Sequence, residues 1–310
     1  MSMKFGIALP QGTLMELAGI TDPVEAYETM TQVAVTAEEV GFDSLWLSDA
    51  FWPGDPSQNL FECWTTLAAL ARDTRHARIG QMVTSSGLRQ PSLLAKMAST
   101  VDVMSHGRLT LGIGSGYPGL EAQFRAYGYD FPALAVRSRQ LREAIQILLA
   151  MWTQEEATFE GTYYQIRDAI NQPKGVQRPH IPLLIGGNGE QVTLKLVAQY
   201  GNACHVFGDP ATMARKFAVL KQHCEAIGRD YESIRRASVA ICSLADTDEQ
   251  AQARLPEAAR AFGGGLIGSP GTIRKIIVAF EQAGVQELIL RFPNARDLDE
   301  LRRFAQEFIA

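Results

Sequence analysis

Glycines, hydroxyl side chains and one early carboxylate follow the apolar runs of this sequence, and these residues could take part in chemistry. Within Gly107–Gly116, the apolar run Leu109–Ile113 leads into alternating glycines, which lack a Cβ atom and let backbone approach a flat or phosphorylated ligand. Further candidates follow other apolar runs: Ser48, Asp49, Met82, Val83, Thr84, Ser115, Gly116, Gly186, Gly187 and Asn188. The set pairs no nucleophile with a base and clusters no two carboxylates. We therefore expect a bound cofactor to supply the chemistry.

The glycines of residues 186–190 come directly before a predicted helix that begins near Glu190. Exposed backbone N–H groups at a helix N-terminus are suited to a phosphate group. A tight turn between strand and helix, in which glycine supplies a positive φ, explains the same glycines equally well. The residues alone leave both interpretations open.

Three charged side chains have a functional and a structural interpretation. Asp49 could accept a hydrogen bond from a cofactor or position a proton, or it could cap a helix. Glu121 could reach the same site, or it could lie at a helix start, where the helix dipole favours a carboxylate. Arg89 could bind an anion, or it could form an ion pair on the surface or between subunits.

Apolar runs that predict strands alternate with helical patterns along the chain. The predicted strands are Lys4–Leu9, Ser44–Leu47, Arg78–Thr84, Leu109–Ile113, Leu183–Ile185, Ala203–Phe207, Ala237–Ser243 and Glu287–Arg291. The predicted helices are Pro23–Val40, Asn59–Arg72, Ser92–Met104, Arg137–Trp152, Glu190–Gln199, Ala211–Ile227, Asp248–Ala261, Thr272–Ala283 and Asp297–Ile309. This alternation predicts a (β/α)8 TIM barrel, in which the strand ends converge on one mouth.

We interpret residues 1–310 as a single barrel domain, with an excursion at residues 153–182. A doubly wound open sheet is the alternative fold. The first predicted strand, however, ends in Leu-Pro-Gln-Gly at residues 9–12, which is not the glycine fingerprint of a dinucleotide-binding sheet. The barrel is therefore the favoured architecture.

The composition limits the possible function classes. The chain has 310 residues, 46% of them hydrophobic, and a net charge of −5, as is typical of a globular enzyme. The four cysteines and five histidines show no metal-ligand spacing, so we expect neither a metal nor a disulfide framework. The sequence has no basic stripe for nucleic acid, no apolar run of the ~20 residues that span a membrane, and no leader-like start. We expect a cytoplasmic protein.

Taken together, the motifs resemble those of the bacterial luciferase-like flavin and deazaflavin oxidoreductases over nearly the whole chain. The resemblance rests on Gly41–Asp49, Arg89–Lys96, Thr100–Arg108, the glycine-rich strand that follows, Ala126–Gly128, Ile185–Gly189 and Phe207–Pro210. Within this superfamily, the chain is most similar to the branch that uses coenzyme F420, an 8-hydroxy-5-deazaflavin. The resemblance implies a homodimer, a (β/α)8 barrel and a cofactor held at its mouth.

Carried over by position, the family pattern assigns roles to the candidate residues. Met82-Val83 would hold a non-prolyl cis peptide that bulges behind the central ring of the cofactor. The residues that would contact the cofactor are Asp49, Thr84, Ser115 and Gly116, and those that would cradle its phosphate are Gly186, Gly187 and Asn188.

The chain departs from the family pattern at two positions. Many deazaflavin-dependent members have a histidine where this chain has Ala50, and members that act on sugar phosphates have a glutamate where it has Tyr117. Sugar-phosphate oxidation is therefore disfavoured. The catalytic candidates are Asp49, Tyr117 and Glu121, and the proton donor is Tyr117, Glu121 or water.

Three functional hypotheses follow from the resemblance. The leading one is an oxidoreductase that transfers a hydride between F420 and a small organic substrate, reducing an activated C=C or C=N bond. The first alternative is a luciferase-like monooxygenase that uses reduced FMN and oxygen. The second alternative is a protein that binds a flavin or deazaflavin without turnover, which the absence of a histidine at position 50 keeps open.

Overall fold

The computed structural model describes residues 3–13, 16–52, 55, 57–260, 265–294 and 296–309. Its strands are β1 Lys4–Ala8, β2 Ser44–Leu47, β3 Arg78–Gln81, β4 Thr84–Ser85, β5 Leu109–Gly114, β6 Glu156–Glu160, β7 Gln165–Ile170, β8 Leu183–Gly186, β9 Ala203–His205, β10 Arg235–Leu244, β11 Gly265–Gly268 and β12 Glu287–Arg291.

The helices alternate with these strands and surround them. They are α1 Pro23–Glu39, α2 Cys63–Asp73, α3 Pro91–Met104, α4 Glu121–Ala126, α5 Leu134–Thr153, α6 Thr193–Tyr200, α7 Pro210–Ala226, α8 Asp248–Ala253, α9 Glu257–Arg260, α10 Pro270–Gln282 and α11 Leu298–Phe308. Two of them, α1 and α7, follow an aspartate N-cap and have proline as their first residue. In α1, for example, the Asp22 carboxylate accepts hydrogen bonds from the backbone N–H groups of Val24 and Glu25.

Eight parallel strands close into a barrel, as the sequence predicts. The order around the ring is β1-β2-β3-β5-β8-β9-β10-β12, and β12 pairs again with β1. Every residue of β2 and of β5 is buried, because one face of each strand packs into the barrel and the other against the helices. The barrel prediction is confirmed.

A bulge interrupts the third barrel strand. Gly80 pairs with Thr110, and Thr84 pairs with Ile113. The third strand therefore advances by four residues where its neighbour β5 advances by three. The prediction of one continuous strand over residues 78–84 was therefore wrong. The extra residue, in the segment that joins β3 to β4, pushes backbone into the barrel at its carboxyl end.

Several predicted element boundaries also differ from the structure. The second helix begins at Cys63 rather than at residue 59, because Glu62 caps it by accepting from the backbone N–H of Thr65. The predicted helix Asp248–Ala261 is two short helices, α8 and α9, separated by a segment that contains Pro256, and Ala261 lies outside the described residues. Strand β11 was not predicted from the sequence. It pairs in parallel with residues 241–244 of β10.

The excursion at residues 153–182 contains a β-hairpin, formed by β6 and β7 in antiparallel pairing. The Glu143 carboxylate on α5 fixes its turn by accepting hydrogen bonds from the backbone N–H groups of Thr162, Tyr163 and Tyr164. The Tyr164 hydroxyl donates to the Ser86 carbonyl, 3.2 Å away, so the hairpin reaches the loop that follows β4.

None of the described helices combines the length and the apolar character that a bilayer crossing requires.

Candidate active site

Trp46 fills the barrel interior below the mouth. It is 1% exposed and belongs to an interior cluster with Ala8, Leu184, Ala203 and Ile289. Glycines on the flanking strands leave room for the indole, since a Cβ atom at Gly80 would lie 2.7 Å from its ring. The interior is therefore a packed floor, and any ligand must bind above it, at the carboxyl ends of the strands.

The bulge in the third strand forms the upper surface of this floor. Its Met82–Val83 peptide bond is cis, as the resemblance implies. The Val83 side chain lies between two neighbouring strands, and a Cβ atom at Gly114 or Gly186 would lie 3.0 Å from its methyl carbons. Glycine is thus required at positions 114 and 186 for close packing around Val83. At these two positions, the packing of the barrel interior explains the glycine without a ligand.

Asp49 lies beside this floor in a buried hydrogen-bonded group. Its Oδ2 accepts from the Thr84 hydroxyl at 2.5 Å and from Arg89 Nη1 at 2.6 Å, and its side chain is 3% exposed. Arg89 also pairs with Glu62 at 2.6 Å. Burial opposes its charge, but the two carboxylates raise the pKa of Arg89 above its ordinary value. Arg89 is therefore a structural partner of Asp49, which neither interpretation from the sequence foresaw.

The two other predicted catalytic residues lie on the rim, away from this group. The Tyr117 side chain is 63% exposed and follows the glycines of β5. Glu121 forms an exposed ion pair with Arg125 one turn along α4, at 2.8 Å. Among the described residues, no hydrogen bond links either side chain to Asp49. The structure does not bring the three predicted catalytic residues into one hydrogen-bonded set.

Arg137 fixes the loop that contains Ser115 and Gly116. Its Nε donates to the Ser115 carbonyl at 2.9 Å, its Nη1 donates to the Pro132 carbonyl at 2.6 Å, and its guanidinium stacks 3.9 Å above the Phe131 ring. Gly116 has a φ of +77°, and the Ser85 hydroxyl oxygen lies 2.9 Å from the position of a Cβ atom there. Glycine is therefore required at this turn by both its conformation and its surroundings.

The segment 186–191 presents backbone rather than side chains. The Gly187 N–H donates to the His205 carbonyl and so extends the hydrogen bonding between β8 and β9. The Asn188 side chain donates to the Phe207 carbonyl and accepts from the Phe207 N–H. No hydrogen bond among the described residues uses the backbone N–H groups of residues 188–191. The helix α6 begins at Thr193, so the predicted start near Glu190 was wrong and these amides belong to the loop before it.

Two cations on α7 lie next to this loop. Lys216 and Arg215 approach the Glu190 carboxylate at 2.7 and 3.7 Å, and the hydrogen bond from Lys216 lowers the pKa of Glu190. Arg215 also lowers the pKa of the nearby Asp209 carboxylate, so the two cations face two carboxylates. The unused backbone N–H groups of the loop are therefore the groups here that favour a phosphate.

Two buried side chains at the mouth, His205 and Arg291, were not among the predicted site residues. His205, on the same face of β9 as interior Ala203, is 8% exposed, and its Nε2 has no partner among the described residues. Burial, with the nearby charge of Arg291, lowers the pKa of His205 to about 4, so its ring is neutral at pH 7. Arg291 pairs with Glu16 at 2.9 Å. Side chains alternate between the two faces of a strand. Because Ala203 faces the barrel interior, this alternation along β9 predicts that His205 faces the interior as well.

An aromatic wall forms the rim next to Asp49 and Gly116. We use this name for Phe51, Trp52, Phe124, Tyr127, Tyr129 and Phe131. Phe51 stacks on Tyr127 with 4.1 Å between ring centroids and an angle of 8° between planes. The wall has two parts, Phe51 and Trp52 after β2 and the four rings of residues 124–131. The Gln123 side chain joins these parts, because it accepts a hydrogen bond from Phe51 N–H and donates one to the Trp52 carbonyl. The wall is therefore a fixed part of the mouth.

Comparison with known proteins identifies the family. The sequence pattern of the family described as luciferase-like monooxygenase matches residues 3–265. The chain belongs to this family, which confirms the resemblance seen in its motifs.

One curated relative is the F420-dependent glucose-6-phosphate dehydrogenase of Microbacterium testaceum (strain StLB037). It is 36% identical over 164 residues, which are 51% of this chain and 46% of the relative. The chain spans about half the length of the first curated relatives it matches.

Two solved structures share the fold over nearly the whole chain. An F420-dependent secondary alcohol dehydrogenase bound to an F420–acetone adduct has a TM-score of 0.81 at 21% identity, over 99% of this chain and 98% of its own. A monooxygenase from Streptomyces bottropensis has a TM-score of 0.82 at 21% identity, over 99% of each chain. At these identities, the likeness concerns the fold.

Proposed function

We propose that the protein is an oxidoreductase that transfers a hydride between coenzyme F420 and an organic substrate. The observation that carries the proposal is the bulge in the third strand, where Val83 packs against the glycines of β5 and β8 and forms an apolar surface near the Asp49 group. Relatives that match half of this chain are named F420-dependent dehydrogenases, which supports the same cofactor.

The residues at the mouth fit such a cofactor. A flat ring would rest against Val83, above glycines that leave no side chain in its way. The Ser85 hydroxyl is buried without a partner among the described residues, and it lies beside Gly116, where it would face a polar edge of the ring. The backbone N–H groups of residues 188–191 would hold the phosphate.

When bound, reduced F420 supplies the hydride, and the protein orients the two reactants and excludes water. Asp49, fixed by Arg89, keeps Thr84 in place beside the bulge, and both would contact the cofactor. Because the Asp49 carboxylate is already ion-paired and hydrogen-bonded, its role would be to orient the cofactor. The substrate proton would come from water or from the exposed Tyr117 hydroxyl, and Glu121 keeps its pair with Arg125.

The reaction we propose is the reduction of an activated C=C or C=N bond. Tyr117 stands where sugar-phosphate members of the family carry a glutamate, and no histidine follows Asp49. Both differences remove groups that could accept a proton from a substrate hydroxyl. Sugar-phosphate oxidation is therefore disfavoured, and reduction is the direction that we propose.

Titration of the purified protein with F420 and with FMN tests the proposal. We expect F420 to quench the fluorescence of the mouth aromatics at lower concentration than FMN, and reduced F420 to lose its hydride to an activated alkene or imine. Binding of FMN without binding of F420 would overturn the assignment.

An FMN-dependent monooxygenase is the second candidate, because the family description and the Streptomyces structure both name a monooxygenase. It predicts oxygen uptake when reduced FMN and substrate are supplied together, whereas the F420 enzyme predicts none. Tight binding of F420 without oxidation by any acceptor would instead indicate a protein that only binds the cofactor.

A further inference from the structure

The rim of the mouth differs in character from one side to the other. On the side of residues 188–191, unused amides lie next to the cations of α7. Over the segments that follow β2 and β5 stands the aromatic wall, where Tyr127 is 55% and Tyr129 37% exposed. A ligand that meets both sides therefore needs an anionic end at one and a flat apolar part at the other.

The cations near the aromatic wall are already bonded within the protein. Each forms an ion pair or donates to backbone carbonyls: Arg89 with Asp49 and Glu62, Arg125 with Glu121, Arg137 with Ser115 and Pro132, and Arg291 with Glu16. A phosphate or carboxylate here would compete with the carboxylates that already pair with Arg89, Arg125 and Arg291, and Arg137 is buried. This side of the mouth is thus unsuited to an anionic substrate.

The aromatic wall is also continuous with the proposed cofactor site. Phe51 lies two residues after Asp49, and Phe131 lies 3.6 Å from the position of a Cβ atom at Gly116. Buried Phe124 packs at the base of the wall, with Phe131 5.1 Å away edge-on. A molecule that rests on the exposed rings is therefore adjacent to any cofactor that contacts Asp49 and Gly116.

We infer that the aromatic wall is the substrate subsite and that it selects an uncharged compound with a planar, conjugated ring. The inference rests on the proposed function and deepens it, because it names the class of substrate. Stacking on Tyr127 and Trp52 orients the ring. Among the described residues near the wall, the cations are already paired or buried, which discriminates against sugar phosphates, on which relatives of this chain act by name.

Two enones that differ in a single group test the inference. 4-Phenyl-3-buten-2-one and 3-penten-2-one share the same conjugated ketone, but only the first carries an aromatic ring. Calorimetry measures their binding to the full chain, alone and saturated with oxidised F420, which cannot reduce them. We expect the phenyl compound to bind about tenfold more tightly, as burial of part of a ring predicts. Glucose 6-phosphate should bind more weakly than either.

The Tyr127→Ala and Trp52→Ala variants locate the binding. Each should reduce the tenfold preference to about twofold or less, with little change for 3-penten-2-one. The matched control is Ile227→Ala, because Ile227 is 52% exposed just past α7, at the other end of the barrel. This variant should retain the full preference. Because both wall side chains are partly exposed, the fold should tolerate their removal.

Three results would overturn the inference. One is equal affinity for the two enones, and another is tighter binding of glucose 6-phosphate. The third is a change from dimer to monomer in Tyr127→Ala, measured by sedimentation, which would make the aromatic wall a subunit interface. Failure of F420 to bind would instead contradict the proposed function, and the enone preference of the chain alone would still be measured.

Discussion

Arg89 contacts both carboxylate oxygens of Asp49, with Nη1–Oδ2 at 2.6 Å and Nη2–Oδ1 at 3.3 Å. The two residues come from loops on different strands, 40 positions apart in the chain. Their side chains are 14% and 3% exposed, so the pair lies largely out of solvent. It fixes the Asp49 carboxylate beside the bulge, and it does so before any ligand binds.

Removal of Arg89 should destabilise the protein strongly. Arg89→Met leaves the Asp49 carboxylate buried and uncompensated, and we expect the free energy of unfolding to fall by ~3–5 kcal/mol. Urea denaturation measures the loss. The control is Lys4→Met, which removes the exposed pair of Lys4 with Asp43 and should cost less than ~1 kcal/mol. Equal losses in the two variants would show that the Arg89 pair is no more than a surface contact.

The packing of Val83 against glycines should appear as coupling between the two positions. Gly186→Ala places a methyl group 3.0 Å from both methyl carbons of Val83, and should cost ~1–3 kcal/mol by overpacking. In a Val83→Ala background the same change should cost clearly less, because the clashing methyl groups are gone. Denaturation of the two single variants and the double variant measures the coupling.

Gly271→Ala is the control for that cycle, since no atom lies within 4 Å of the position of a Cβ atom at Gly271. This residue is in the first turn of α10, where alanine should leave stability unchanged or raise it slightly. Strict additivity of the Gly186 and Val83 changes would rule out the close packing described for the barrel floor.

The barrel and the bulge were predictable from the sequence, whereas the partners of the site residues were not. Regular alternation of apolar strands and helices fixes the eight-stranded order, and the family motifs locate the cis bond at Met82–Val83. The bonds of Arg89 to Asp49 and of Arg137 to Ser115 join residues 40 and 22 positions apart. Such contacts depend on how strand ends converge, which no local pattern encodes.

Two errors in the predicted elements have local physical causes. The loop before α6 continues to Val192, because the Asn188 side chain bonds to Phe207 and holds residues 188–192 out of the helix. The strand β11 has four residues, two of them glycine, so it lacks the apolar run that marks a strand. It is held by pairing with β10, a tertiary interaction.

A charge change at Asn188 should separate phosphate binding from ring binding. Asn188→Asp keeps an acceptor for Phe207 N–H, loses the donor to the Phe207 carbonyl, and puts a negative charge beside the proposed phosphate loop. We expect the Kd for F420 to rise about tenfold or more, since like charges repel. The Kd for the same deazaflavin without its phosphate side chain should change much less. Fluorescence titration measures both constants.

Asn202→Asp is the matched control for this change. Its side-chain oxygen accepts from Leu183 N–H at 2.9 Å, at the amino end of the same strand, so the substitution adds the same charge far from the loop. F420 affinity should stay near that of the wild type. An equal loss of affinity for the two deazaflavins in Asn188→Asp would contradict a phosphate site at residues 188–191.

The neutral state of His205 should make the protein sensitive to acid. Its pKa in the folded protein is about 4, below the ordinary value of 6.5, because burial and Arg291 disfavour the imidazolium ion. The unfolded chain therefore takes up a proton first as pH falls below 6.5. The stability that comes from keeping this ring neutral is complete above pH 6.5 and is lost as pH falls towards 4.

His205→Gln retains a polar side chain that does not titrate, so it should remove this part of the pH dependence. Between pH 7.5 and pH 4.5, the unfolding free energy of the wild type should fall by roughly 2–3 kcal/mol more than that of the variant. Urea denaturation at the two pH values measures the difference, and comparison with the variant cancels other titrating groups, including buried Glu300, whose pKa burial raises to about 7. Parallel curves for the two proteins would mean that His205 titrates alike in the folded and unfolded chains, and that the mouth does not hold it neutral.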